Sequence, residues 1–165
     1  MQGAENGHNL FVCRKNVDAA SDDERVRLEV VGEFHVGDMV NVFRPGSLVM
    51  RTHEGELAAV HTRLFGTVSG MLGVVATLPQ GLFAQLARLQ AAMVAVVPGW
   101  GGFPWLQWRA FTNETRSADP RNFIDGDLIE TFLDLKPARQ AEVAAKAEMA
   151  VEEVVKLVED MVSLH

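Results

Sequence analysis

The feature that most limits the fold of this chain is a change of hydrophobic pattern at Pro79. Before it, short runs of strand-forming residues are broken by Gly, Pro and Asp, which is typical of repeated antiparallel sheets of sandwich or propeller type. After it, five apolar residues recur at helical spacings of three and four: Leu82, Leu86, Leu89, Met93 and Val96. These spacings predict an amphipathic helix. The order of elements indicates an α+β chain, or a β piece followed by a small helical domain.

The strongest β signal lies in residues 64–78, where two strand-like runs flank Ser69 and Gly70. This pair suits a two-residue hairpin turn. Further strands are predicted at residues 9–14, 28–36, 39–43 and 47–50. Five or six strands are too few to close a propeller, and no internal repeat is visible that would supply the rest.

Residues 122–135, NFIDGDLIETFLDL, predict the start of a short helix. Asp127 and Glu130 have the spacing of a capping box, with Asp in place of Ser or Thr. Pro137 is expected in the first turn of the next helix, where its missing N–H costs little. A last helix is predicted from Val151, with valines and methionine on one face and acidic residues largely on the other.

The charge and the single cysteine limit the function classes. A formal net charge of -7 argues against generic nucleic-acid binding, although a local basic patch remains open. The lone Cys13 cannot form an internal disulfide, which suits a reducing compartment. The first residues have no apolar core or basic lead, so a signal peptide is not expected. The apolar runs are too short to span a bilayer.

Few side chains have the spacing that catalysis or metal binding requires. Cys13 lies in a predicted strand without a neighbouring base, and His53 and His61 lack a matching pair of zinc ligands. The dinucleotide and phosphate-loop patterns are missing. We therefore expect no catalytic residue, no metal and no cofactor. The aromatic-rich residues 100–111 could stack nucleic-acid bases, or could form core or a docking surface.

Four stretches carry a resemblance to a known family: GAENGHNLFVC at 3–13, FHVGDMVNVFRPGSLVM at 34–50, LFGTVSGMLG at 64–73 and FIDGDLIETFLDL at 123–135. In order and spacing they resemble the C-terminal part of the large subunits of the UV-damaged DNA-binding protein, the adaptors of cullin-RING ubiquitin ligases. The wider family is shared with the A subunit of the cleavage and polyadenylation specificity factor. The resemblance covers essentially the whole chain.

The resemblance implies a partial β-propeller followed by helices. Residues 1–78 would be the last strands of a C-terminal propeller, and residues 79–165 a helical C-terminal domain. The function implied is that of a non-catalytic scaffold, which grips a helical motif of substrate-receptor proteins in DNA damage repair and protein ubiquitination. The other implied partner is the remainder of the propeller scaffold. Damaged DNA would be reached only through a receptor. The resemblance implies neither a membrane partner nor a cofactor, and it implies a location in the nucleus and also in the cytoplasm.

The resemblance also implies a partner-binding pocket lined by six residues: Asn6, His8, Met39, Asn41, Val42 and Val68. His8 and Met39 stand where the family favours bulky aromatic residues, so the choice of receptor would differ. Ser69 replaces an Asn in the hairpin turn. The alternative interpretations are turn formation or sheet-edge hydrogen bonding for the two asparagines, and core packing for the two valines.

A second function class remains open. Related large subunits of pre-mRNA cleavage and polyadenylation complexes and of a splicing factor share this architecture, so the chain could be a nucleic-acid-binding component of such a complex. The stretches GAEN, FGTVSG and FIDGDLIETFLD favour the repair adaptor. An enzyme would have to show catalytic turnover, which no motif here predicts.

Overall fold

The computed structural model describes residues 1–49, 57–58 and 60–165. Within these residues, strands precede most of the helices. The elements are β1 (Gln2–Glu5), β2 (Asn9–Lys15), α1 (Asp22–Arg25), β3 (Leu28–His35), β4 (Val40–Pro45), β5 (His61–Thr67), β6 (Leu72–Thr77), α2 (Gln80–Val96), α3 (Trp105–Trp108), β7 (Phe111–Thr112), β8 (Ser117–Ala118), α4 (Gly126–Glu130), α5 (Pro137–Lys146) and α6 (Val151–Val162). The mixture of antiparallel sheets and helices agrees with the α+β class predicted above.

The first sheet has the strand order β1-β2-β3, and its neighbouring strands are antiparallel. The register pairs Gly3 with Phe11 and Leu10 with Phe34, and it shifts between Val12 and Cys13. The strands predicted at 9–14 and 28–36 are therefore confirmed. Buried apolar side chains stabilise this sheet, and Cys13, a free cysteine, is among them.

The second sheet has the order β4-β5-β6 and contains a hairpin at the predicted place. The predicted two-residue turn is wrong, because the Thr67 N–H donates to the Met71 carbonyl at 3.0 Å and the loop therefore has three residues, Val68, Ser69 and Gly70. Gly70 has a φ of 94°, and its N–H donates to the Thr67 carbonyl at 3.2 Å. Glycine adopts this left-handed backbone without steric cost. The strand predicted at 47–50 is wrong for residues 47–49, because β4 ends at Pro45 and Gly46, with a φ of 118°, turns the chain. Met50 lies outside the described residues.

Helix α2 confirms the helical periodicity that follows Pro79. Its buried residues are Leu82, Leu86, Leu89, Ala92 and Met93. They pack in one cluster with apolar residues of α4, of the short 3-10 helix that follows it, of α5 and of α6, including Ile129, Phe132, Val143 and Val154. Full burial of each such side chain contributes about 1.5–3 kcal/mol, so this cluster is the main apolar core of the helices.

The predicted capping box at Asp127 is wrong. Helix α4 begins at Gly126 and its N-cap is Asp125, so Asp127 lies in the first turn. The N–H of Asp125 donates to Oε1 of Gln90 on α2 at 2.7 Å, a tertiary contact that helps to fix where the chain enters the helix. After Glu130 the chain continues as a short 3-10 helix, Thr131–Asp134, before Pro137 opens α5 as predicted.

The chain divides into two compact units. Unit 1 contains Met1–Val42, Gly66–Met71 and Phe103–Phe123, and unit 2 contains Phe43–Phe65, Leu72–Gly102 and Ile124–His165. The separate division at residues 78 and 79, into propeller strands and a helical domain, stays a prediction. Among the described residues, no helix combines the length and the apolar character needed to cross a bilayer.

Candidate partner-binding surface

All six predicted pocket residues belong to unit 1 and are exposed. Asn6 and His8 lie in the turn between β1 and β2, and Asn41 lies on β4. The exposed fractions of the apolar residues test the alternative that the two valines pack in the core: Val68 is 63%, Met39 39% and Val42 37% exposed. The interpretation of Val42 and Val68 as core residues is therefore wrong.

The turn at His8 is fastened to the turn that follows β3. The His8 carbonyl accepts hydrogen bonds from the N–H groups of Val36 at 2.9 Å and Gly37 at 3.4 Å. His8 has a φ of 61°, a left-handed conformation that is uncommon outside glycine, although His adopts it more often than most residues. The backbone thus holds His8 beside the segment that leads to Met39.

Asp38 joins the β3–β4 turn to the hairpin turn between β5 and β6. Its Oδ1 accepts from the Met39 N–H at 2.7 Å and from the Ser69 hydroxyl at 3.2 Å, and its Oδ2 accepts from the Ser69 N–H at 3.3 Å. The Val68 N–H donates to the Met39 carbonyl at 2.9 Å. A hydrogen bond from Thr67, supported by those from Met39 and Ser69, lowers the pKa of Asp38 below its usual value.

His35 lies behind this surface and was not predicted as a functional residue. Its Nδ1 is 2.9 Å from Oδ1 of Asn9, whose amide nitrogen donates to Oε1 of Glu5 and to the Thr112 carbonyl. With its amide so oriented, Oδ1 of Asn9 accepts a hydrogen bond from the Nδ1–H of His35. Burial, followed by the nearby charges of His8 and Arg109, lowers the pKa of His35 below 6.5.

The aromatic-rich segment serves both core and surface. Phe111 is buried, whereas Trp108 is 44% exposed and meets the His35 ring edge-on at 5.6 Å between centroids. The Arg109 guanidinium lies 4.7 Å from the centroid of the Phe34 ring and 5.3 Å from that of Trp108. These contacts are within cation–π range. The aromatic spacing in the sequence was the one signal that could have pointed to this cluster.

A separate groove of about 700 Å³ lies on unit 2, beside α2 and α6. Its lining combines apolar residues such as Leu82 and Leu157 with charged residues such as Arg88 and Glu153. It contains none of the six predicted pocket residues. Across the described residues, no three His, Cys, Asp or Glu side chains are grouped so that they could hold a metal ion.

Comparison with known proteins identifies the family to which this chain belongs. The family model described as "CPSF A subunit region" matches residues 1–134, and the chain belongs to this family. The chain is 49% identical over 163 residues to DNA damage-binding protein 1a of Arabidopsis thaliana and to DNA damage-binding protein 1 of Solanum lycopersicum. It is 48% identical to DNA damage-binding protein 1 of Oryza sativa subsp. japonica.

Each alignment covers nearly all of this chain but only a small part of the relative. Each includes 99% of this chain but only 15% of the relative. The chain therefore spans about a seventh of the length of these curated relatives. Their names describe damage-binding proteins, and none of the three is the name of an enzyme.

Proposed function

We propose that this chain is a segment of a non-catalytic adaptor of a cullin-RING ubiquitin ligase. In this role it contributes to binding substrate receptors in DNA damage repair and protein ubiquitination. The proposal is supported by the family match over residues 1–134 and by relatives that are named DNA damage-binding protein. The proposed second partner is the remainder of the propeller scaffold. We also propose that residues 1–78 are part of the last propeller and that residues 79–165 are the helical domain.

The observation that carries this proposal is the exposure of apolar side chains beside amides on unit 1. Met39, Val42 and Val68 are at least about a third exposed, and Asn6 and Asn41 are exposed as well. Exposed apolar side chains can receive the apolar face of an amphipathic helix, while side-chain amides can hydrogen-bond its polar edge or its end. A helical motif of a receptor protein is therefore the proposed occupant.

The acidic character of the chain supports indirect rather than direct contact with DNA. A net charge of -7 repels phosphate, so damaged DNA would be reached through the bound receptor. The proposed location is the nucleus, and also the cytoplasm. The names of the relatives support a nuclear role.

The proposal is tested by measuring the affinity of the chain for labelled synthetic receptor peptides, each a helical motif with apolar residues at spacings of three and four. The variant Val68→Glu places a charge in the proposed contact and is expected to weaken binding at least about tenfold, or about 1.4 kcal/mol. Val26→Glu is the matched control, because Val26 also belongs to unit 1 and is 78% exposed. Equal affinities of the two variants would contradict the proposed surface.

A second function is favoured by the family description and by the exposed Trp108. The chain would then be a nucleic-acid-binding component of a pre-mRNA cleavage and polyadenylation or splicing complex. Trp108, beside the Arg109 guanidinium, offers a ring on which a base can stack. RNA binding that falls steeply with salt, and that Trp108→Ala abolishes, would support this function. Peptide binding without RNA binding would support the adaptor.

A further inference from the structure

We infer that Asp38 is a positioning residue for receptor binding: it holds the turn that carries Met39 against the turn that carries Val68. This inference rests on the proposed function, and it adds a residue outside the six that the resemblance implied. The argument starts from the two turns, which are separated in sequence but both belong to unit 1. The separation between Asp38 and Ser69 is 31 residues.

The Asp38 carboxylate accepts hydrogen bonds from both turns, and we call these contacts the junction. It accepts from the N–H groups of Met39 and Ser69 and from the Ser69 hydroxyl, at 2.7, 3.3 and 3.2 Å. An ionised carboxylate is an acceptor only and has about four lone-pair sites, so it can satisfy these three donors together with Thr67. An asparagine would place an NH₂ group against at least one of these donors. The charge is therefore required in addition to the shape.

The junction leads directly to the proposed contact residues. Met39 follows Asp38 in the chain, and Val68 precedes Ser69. A main-chain hydrogen bond of 2.9 Å, from the Val68 N–H to the Met39 carbonyl, joins the two residues next to the Asp38–Ser69 contacts. Asp38 thus fixes the spacing of two exposed apolar side chains before a partner arrives. Such preorganisation improves affinity because less ordering is required on binding.

Ser69 is the second member of this junction. Its hydroxyl and its N–H both donate to Asp38, whereas the hairpin geometry itself depends on Gly70 and Thr67. The variant Ser69→Ala removes the hydrogen bond of the hydroxyl and keeps that of the N–H. We therefore expect its effect on affinity to be smaller than that of Asp38→Asn, and we expect the double variant to lose no more than Asp38→Asn alone, since both act through one junction.

The test measures the affinity of the labelled synthetic amphipathic peptides for the chain, for Asp38→Asn, for Ser69→Ala and the double variant, and for a control. Asp38→Asn is expected to weaken binding about fivefold with an unchanged melting temperature, because Asp38 is solvent-accessible and outside the core. Asp18→Asn is the matched control, an exposed aspartate of the same unit, and is expected to leave the affinity unchanged.

A second readout follows the amide protons of Met39 and Ser69 by NMR as the pH is lowered. In the unchanged chain both resonances should shift with a midpoint below 3.8, the ordinary Asp value, and in Asp38→Asn this shift should be lost. If the unchanged chain binds and Asp38→Asn binds equally well, the assignment of Asp38 is overturned and the proposed function stands. If the unchanged chain binds no peptide, both are overturned.

Discussion

Glu33 and Arg121 are joined in unit 1 by their main chains and by their side chains. The Glu33 N–H donates to the Arg121 carbonyl at 3.0 Å, and the Arg121 N–H donates to the Glu33 carbonyl at 2.9 Å. Nε of Arg121 also donates to Oε2 of Glu33 at 3.0 Å, while Arg116 contacts Oε1. The Glu33 side chain is 1% exposed, so a buried carboxylate fastens the segment after β8 to the outer edge of β3.

The first prediction concerns this carboxylate. Glu33→Gln keeps the size of the side chain but turns a donor toward one of the arginines, leaving charged hydrogen bonds unmade in a buried site. We expect the free energy of unfolding to fall by about 1–3 kcal/mol. Urea denaturation followed by tryptophan fluorescence measures the change. The arginines are 45% and 51% exposed, which keeps the expected loss below that of a fully buried pair.

Glu29→Gln is the control for Glu33→Gln. Glu29 also pairs with an arginine, Arg14, at 3.5 Å, but both side chains are more than half exposed. Solvent screens such a pair, and we expect a change of about 0–1 kcal/mol. Equal losses in the two variants would mean that burial of Glu33 does not strengthen its contacts.

The second prediction follows from the lowered pKa of His35. Burial first, and then the charges of His8 and Arg109, disfavour the imidazolium in the folded chain. The unfolded chain therefore binds more protons below pH 6.5, so this stability contribution is fully present above 6.5 and is lost as pH falls toward the folded pKa. Titration of the histidine ring protons by NMR should give a midpoint for His35 below 6.5.

His8→Asn is the informative variant for His35. It removes the neighbouring imidazole, and Asn tolerates the left-handed backbone that position 8 requires. The midpoint of His35 should rise toward 6.5 without reaching it, since burial remains the largest cause. A midpoint that does not move would exclude His8 as a cause of the shift.

Local patterns predicted the secondary structure well where the residues that interact lie close together in the sequence. The hairpin at Ser69 and Gly70 and the apolar face of α2 depend on spacings that the sequence displays directly. The start of α4 could not be read this way, because Asp125 and Asp127 flank one glycine and both are good caps. The Asp125 N–H meets Gln90, 35 residues away, and no local spacing reveals that contact.

The long-range contacts within unit 1 show the same limit. Glu33 and Arg121 are 88 residues apart, and Asn9 and His35 are 26 apart, so their pairing depends on the completed fold. Strand alternation also fails for β4, because Val40 is buried and Val42, two residues on, is 37% exposed. The six pocket residues came from the resemblance to a family, and their role in binding stays a prediction.

The third prediction concerns Glu130 of unit 2. Burial is the largest cause that raises its pKa above 4.5, with repulsion from Asp127 adding to it and His165, at 3.4 Å, opposing it. An acid with a raised folded pKa contributes stability that is fully present below its unfolded value and lost as pH rises through the folded pKa. Glu130→Gln should therefore raise the melting temperature at pH 7 more than at pH 4.

The control for Glu130 is Glu159→Gln on α6, an exposed residue for which we expect the same small change at both pH values. The opposite result for Glu130→Gln, a lower melting temperature at pH 7, would mean that the pairing with His165 outweighs the cost of burying the carboxylate. Calorimetry at the two pH values measures both variants.

The last prediction uses two glycines of unit 2 that should respond to alanine in opposite directions. A Cβ at Gly73 would overlap the tip of the Phe65 ring, whereas a Cβ at Gly81 meets nothing within 4 Å. Phe65 is buried and its ring lies 6.3 Å from that of Phe43, so it has little room to move. We expect Gly73→Ala to cost about 1–3 kcal/mol through overpacking. Gly81→Ala lies inside α2 and should stabilise by about 0.5–1 kcal/mol, because alanine loses less backbone entropy in a helix. Urea midpoints that move in the same direction for both variants would contradict the close approach of Gly73 to Phe65.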